Sequence, residues 1–276
     1  MTASVTNASY AYDRGVGTRI HRIGMIVPSS NLTMETELPA MLRERSRLRP
    51  DDEFVFHSSR ARMKQVTAEE LAAMVGQTAR AAGELADAQP DVVATACLVA
   101  IMAQGPRYHC IAEELIAEVL TEQGKQTPVV SSAGALIAGI QALGASSVSI
   151  ITPYMPSLTA LVVAYLEDAG IHVVDALSLA VPDNLDVARL DPRNLREHWK
   201  DLDLTGADAL VLSACVQMPS LPSIQAVEDV VGIPVLSAAT ATTHQILTRL
   251  ELDPVVPDAG RLLEGRFPAA GAGVTG

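Results

Sequence analysis

DVVATACLVA, residues 91–100, decides the fold once it is set beside DALVLSACVQ, residues 208–217. Each is a short apolar run that ends in Ala-Cys, and each occupies the same place in a longer pattern. The first lies between RIGMIVPSSNLT (22–33) and TPVVSSAGALIAGI (127–140). The second lies between SVSIITPYMPSLT (147–159) and IPVLSAATATTHQI (233–246). The order recurs: a strand ending near Pro28 or Pro153, a strand ending in Ala-Cys, a strand ending in small hydroxyl residues. Cys97 and Cys215 therefore sit at matching places in two similar halves. A two-fold arrangement of those halves turns the cysteines toward each other across one cleft, which suits chemistry on a small molecule held between two thiols.

Strand signals recur outward from this pair, at RIGMIVP, DDEFVFHSS, DVVATAC, TPVVSS, SVSIITP, IHVVDALSLA, ADALVLSAC and IPVLSA. Several are nearly continuous in hydrophobicity, as parallel strands buried on both faces require. Helical patterns alternate with them: METELPAMLRER, TAEELAAMVGQTARAAGELADA, YHCIAEELIAEVLTEQG, LTALVVAYLEDAG, DPRNLREHWKDL and SIQAVEDVVG. Thr67, followed by Glu69 and Glu70, opens one helix, and Gly124 and Gly170 close others. The alternation predicts an α/β fold with parallel sheets and right-handed crossovers. Eight strands could close one (β/α)8 barrel. The four-strand period instead favours two pseudo-symmetric domains, each with a roughly four-stranded parallel sheet flanked by helices, and an active site in the cleft between them. The first domain is expected at 20–133 plus 238–268, with Cys97, and the second at 134–237, with Cys215. Gly134 to Leu143 reads as the helix crossing into the second domain, and 1–19 and 269–276 as flexible tails.

Composition narrows the function. A chain of 276 residues with 49% hydrophobic content can bury a real core, and with only 3% aromatics Ala, Val, Leu and Ile must fill it. A net charge of −12 argues against nucleic acid, whose binding depends on neutralising phosphates, and against anionic membranes. The first twenty residues lack the apolar core of a signal peptide, and the most apolar window, 92–103, is shorter than the roughly 20 residues of a membrane span. Three cysteines without an export signal point to the cytoplasm, where thiols stay free. No Cys-x-x-Cys or His-x-x-x-His spacing marks a metal site, and neither a Gly-x-Gly-x-x-Gly turn nor a Walker loop marks a nucleotide site. Neither a metal nor a nucleotide cofactor is expected.

A cysteine attacks as its thiolate, so the pKa, about 8.5 in a free thiol, is expected to be lowered here by helix-end amides or a cationic neighbour. A lone buried cysteine is ordinarily inert packing. Matched placement is what separates Cys97 and Cys215 from Cys110, which has no counterpart and reads as a core residue of a helix. The segment Pro28-Ser29-Ser30-Asn31-Leu32-Thr33 follows a strand and opens a helix, so its amides and side chains offer donors to an anion. The same Ser and Asn side chains could serve only as helix caps. The amides of Leu98 and Val99, just past Cys97, could form a second cradle. Arg60, Arg62 and Lys64 could lend the cleft positive potential, but read better as a solvated or subunit-facing loop.

At VPSSN, ACLVAIMAQG, TPYMPSL, VPDN and SACVQMPSL the chain resembles the aspartate/glutamate racemase superfamily, and within it the maleate cis–trans isomerases. The likeness runs from about Arg22 to Leu250. Amino-acid racemases of that superfamily typically carry Cys-Asn-Thr and Gly-Cys-Thr-His around their two cysteines. Here the residues are Cys97-Leu98-Val99 and Cys215-Val216-Gln217. Arylmalonate decarboxylases keep only the later cysteine, so the isomerase branch fits best. The resemblance implies a cofactor-free, commonly dimeric or larger enzyme turning maleate into fumarate in the breakdown of nicotinate-type aromatics. It implies Cys97 as nucleophile, Cys215 as its proton-exchanging partner, and Asn31, Tyr154 and Asn184 as substrate donors. Pro28, Ser29, Leu98, Val99 and Val216 complete the expected substrate-binding set. The loops Val99–Arg107 and Val181–Leu185 are expected to close over the ligand, because a carbanionic intermediate needs shelter from water. Two alternatives stay open: racemisation of an amino acid or its derivative by opposed thiols, and a non-catalytic dicarboxylate-binding protein.

Overall fold

Strands form at all eight runs that the sequence marks. The computed structural model describes residues 18–64 and 67–265, and the expected tails fall outside these residues apart from Thr18 and Arg19. The first half comprises β1 (Arg19–Pro28), α1 (Met34–Leu48), β2 (Asp52–Ala61), α2 (Ala68–Val75), α3 (Thr78–Ala86), β3 (Val92–Thr95), α4 (Leu98–Met102), α5 (Tyr108–Glu122) and β4 (Val129–Ser131). The rest comprises α6 (Ser132–Ala142), β5 (Ser147–Thr152), α7 (Pro156–Asp168), β6 (His172–Ser178), α8 (Asn184–Ala188), α9 (Leu195–His198), β7 (Ala209–Ser213), α10 (Leu221–Val231), β8 (Val235–Ser237) and α11 (Ala238–Arg249). The strands build two four-stranded sheets, ordered β2-β1-β3-β4 and β6-β5-β7-β8. All pairings within them are parallel. The same permutation appears twice, and two separate sheets rule out the barrel.

The central strands β3 and β7 are buried along their whole length, which is why they read as unbroken apolar runs. Repetition extends to the helix starts that follow each sheet's last strand. The Ser131 hydroxyl accepts from the Gly134 N–H at 3.0 Å, and the Ser237 hydroxyl accepts from the Thr240 N–H at 3.2 Å. Each such cap contributes about 1 kcal/mol. At Gly134 a side chain has no room, because an added Cβ would lie 2.7 Å from a Glu113 carboxylate oxygen. The two helices these serines start, α6 and α11, pack against each other. Helix α11 also lies against β3 and β4 of the first sheet, while Gly139 of α6 faces Leu236 of β8 in the second. The α6–α11 contact thus joins the two halves.

A second junction joins the halves beside the cleft. The buried Glu37 carboxylate on α1 accepts from the Ser220 and Leu221 N–H groups, at 2.6 and 2.7 Å, where α10 begins. Burial raises its pKa, and those amides oppose the rise. The Thr33 hydroxyl donates to the Gln217 carbonyl at 2.7 Å across the same seam.

Some local expectations need correction. The pattern at 67–88 is two helices, α2 and α3, broken at Gly76-Gln77, because α2 packs on α4 whereas α3 packs on α5 and β2. Thr67 does cap the first of them, accepting from the Glu70 N–H. The pattern at 191–202 winds as two 3-10 turns, Pro192–Asn194 and Trp199–Asp201, around the single α turn of α9. Cys110 is not a core residue; it is half-buried on α5.

Candidate active site

Residues that follow the carboxyl ends of β1, β3, β5 and β7 converge on one cavity between the two sheets. Cys97 lies two residues past Thr95, the end of β3, and Cys215 two residues past Ser213, the end of β7. Both line the same cavity, with Pro28, Asn31, Met63, Ala96, Leu98, Val99, Tyr154, Asn184, Val216 and Gln217. All the expected site residues are among them except Ser29. The Ser29 hydroxyl instead pairs with the Met63 backbone, donating to its carbonyl at 3.1 Å and accepting from its N–H at 3.0 Å. The cavity measures about 10 Å³, room for about one water. Among the described residues, no charged side chain lines it.

The first wall comes from the segment after β1. Asn31 does act as a cap, its Oδ1 accepting from the Thr33 and Met34 N–H groups at 2.9 and 2.8 Å. Capping uses only the oxygen, so the Nδ2 donors stay available to a ligand in the cavity, and the two readings of Asn31 coexist. Arg60 at the end of β2 holds this segment from outside. Its guanidinium donates to the Ser29 and Asn31 carbonyls at 3.0 and 3.2 Å and pairs with Glu35. It is a brace for the loop, not a lining charge.

Cys97 stands at the N-cap of α4, after a cis Ala96–Cys97 peptide bond. The Val99 and Ala100 amides favour its thiolate, as expected of a helix start, yet the net shift runs the other way. Burial, then the neighbouring Cys215, pushes the Cys97 thiol up to about 12. Burial also raises Cys215, against the hydrogen bond from the Tyr154 hydroxyl and those from the Gln217 and Met218 amides. The Gln217 N–H lies 3.4 Å from the Cys215 sulfur. Tyr154 is buried, its phenol held well above the ordinary value by burial first and by both sulfurs next. Its hydroxyl lies 3.4 Å from the Ala214 carbonyl. The expectation of a lowered thiol pKa is therefore corrected: among the described residues no cation lines the pocket, and desolvation outweighs two amides.

The shift has a measurable consequence. A free thiol is half ionised near pH about 8.5, so alkylation of free cysteine levels off above it. With Cys97 near 12, alkylation of Cys97 by iodoacetamide should keep rising past pH about 9. Peptide mapping by mass spectrometry reads this out. A plateau near the ordinary thiol value would show that burial does not control the sulfur.

Asn184 is the first residue of α8, capped by the Asp183 carboxylate, so the Pro-Asp-Asn turn is also a helix start. Its Nδ2 donates to the Ser30 hydroxyl at 2.7 Å and its carbonyl accepts from Gln217 Nε2 at 2.7 Å. Gln217 was not singled out by the sequence reading, nor were Met63 and Ala96. Among the described residues, no group of three or more His, Cys, Asp and Glu side chains is placed to hold a metal ion.

Comparisons place this geometry among known proteins. The family profile of arylmalonate decarboxylase matches residues 23–263. A maleate isomerase of Geobacillus stearothermophilus is 56% identical over 246 residues, 89% of this chain and 98% of its own. A crystal structure of the maleate isomerase Iso of Pseudomonas putida S16 with maleate superposes with a TM-score of 0.89 at 51% identity, covering 90% of this chain and 99% of that one. A cysteine-to-serine variant of the Nocardia farcinica maleate cis–trans isomerase, carrying a covalently bound succinylcysteine intermediate, superposes with a TM-score of 0.86 at 49% identity, covering 90% and 100%. Arylmalonate decarboxylase itself, at 21% identity and a TM-score of 0.68, shares the fold.

Proposed function

The chain belongs to the maleate isomerase family, within the group that the arylmalonate decarboxylase profile describes, and on that premise we propose that it converts maleate into fumarate without a cofactor, through covalent addition of Cys97. The observation that carries this reading is the pair of sulfurs, Cys97 and Cys215, on one cavity. The succinylcysteine found in the Nocardia farcinica protein supports it.

Isomerisation requires the double bond to become a single bond for a time. The Cys97 thiolate, its proton lost to solvent before the pocket closes, adds to one alkene carbon. A C–S bond forms and the π pair moves to the adjacent carbon, where it takes a proton from the Cys215 thiol. Rotation about the new single bond follows. The Cys215 thiolate then removes a proton from that carbon, the pair re-forms the double bond, and the C–S bond breaks to return the Cys97 thiolate. Burial assists both roles. A basic thiolate is the better nucleophile once formed, and a raised Cys215 stays protonated until the carbanion develops. The Gln217 and Met218 amides then steady the Cys215 thiolate between its two proton transfers.

Neutral donors hold the two carboxylates in this scheme: Asn31, Asn184 and Tyr154 side chains with the Leu98, Val99 and Val216 backbones, above Pro28. A hydrogen bond to a charged group contributes about 1.5–3 kcal/mol. Incubating the folded, reduced protein with maleate and following the fumarate resonance by proton NMR tests the reading. Conversion supports it; no conversion overturns it.

The same proposal includes a cytoplasmic enzyme acting as a homodimer or larger assembly in nicotinate-type breakdown, with domains at 20–133 plus 238–268 and 134–237. Three free cysteines suit a reducing compartment. No helix among the described residues is long and apolar enough to cross a membrane.

A further inference from the structure

The pocket walls must move for any four-carbon diacid to enter a cavity of about 10 Å³. Residues 182–188, which carry Asn184, form an outer wall of it, with Pro182, Asp183, Leu185 and Asp186 exposed. Among the described residues, only two hydrogen bonds reach them from outside residues 182–190: Asn184 Nδ2 to the Ser30 hydroxyl and Gln217 Nε2 to the Asn184 carbonyl, each 2.7 Å. The side chain of Gln217 also donates to the Ser30 carbonyl at 2.9 Å, and its Oε1 accepts from the Leu32 N–H at 3.0 Å. It is 3% exposed, and its Oε1 and Nε2 are both engaged. Its own N–H reaches the Cys215 sulfur.

We propose that Gln217 is a positioning residue that latches residues 182–188 over the pocket, joining the loop after β1, the start of α8 and the Cys215 loop into one closed arrangement. Ser30, Asn184 and Gln217 form a closed ring of three hydrogen bonds across both halves. Breaking the ring frees the segment and lets Asn184 swing out. Remaking it returns Asn184 to the cavity and sets the Gln217 amide on the Cys215 sulfur. This inference deepens the proposed isomerase reading, but its first test does not depend on that reading.

The test compares iodoacetamide alkylation at each cysteine, by peptide mapping, in the wild type, Gln217→Leu and Ser30→Ala. Cys110, away from the pocket, is the internal reference. Gln217→Leu should raise the rates at Cys97 and Cys215 by about tenfold or more while Cys110 is unchanged. Ser30→Ala, which loses one of the two ties, should give a smaller rise at the same two sites. Unchanged rates at Cys97 and Cys215 in both variants overturn the latch, and an equal rise at all three cysteines points to general loosening and overturns it too. Steady-state kinetics on maleate add a second readout. Saturating substrate restores closure, so KM should rise about tenfold in Gln217→Leu while kcat falls less. A loss confined to kcat contradicts the latch. Failure of the wild type to turn over maleate would remove the isomerase reading while leaving the alkylation result to stand by itself.

Discussion

Replacing Cys97 by serine should cut maleate turnover by about 10⁴ or more, since loss of a covalent nucleophile typically removes nearly all the chemical acceleration. Burial that pushes the thiol up to about 12 would keep the less acidic serine hydroxyl un-ionised throughout the working range. Size changes little between sulfur and oxygen, so the variant should fold and still bind the diacid. Progress curves by proton NMR give the rate, and intact-protein mass spectrometry should find no adduct. A Cys97→Ser enzyme within about tenfold of wild type would sink the assignment of the nucleophile.

Cys215→Ser should produce the complementary result. Addition through Cys97 remains available, but the group that supplies and withdraws the proton is gone. General acid–base groups contribute about 10²–10⁴ in rate, so turnover should fall by that range. The more telling outcome is accumulation: once a slow proton from water quenches the carbanion, no thiolate remains to take one back. The variant incubated with maleate should gain the mass of one maleic acid, and the tryptic peptide carrying Cys97 should bear it. An adduct that forms on Cys215 in the Cys97→Ser protein, and never on Cys97, would exchange the two roles.

Much of this was legible in the chain because the physics involved is local or repeated. Buried parallel strands must be apolar along their length, and VVAT at β3 and ALVLS at β7 announce themselves in that way. The doubled pattern then made two cysteines informative where one would not have been. Helices α4 and α8, five residues each, are too short to show a helical period, and α4 sits inside an apolar run. Gln217 was invisible because its importance lies in what it meets. Ser30, Leu32 and Asn184 are remote in sequence, and a glutamine after a cysteine has no signature of its own. Met63 comes from just beyond the edge strand β2, outside both repeated motifs. The direction of the Cys97 shift was misjudged for a related reason. Helix-end amides can be inferred from a strand-to-helix transition, whereas desolvation depends on the opposite wall, which another part of the chain supplies.

The α6–α11 junction between the halves limits how such a molecule can breathe. Parting the halves like jaws would pull α6 from α11 and α11 from β3 and β4. Apolar surface exposed there costs about 25 cal/mol for every Å². Admission of reactant and escape of product fall instead to small pieces at the rim.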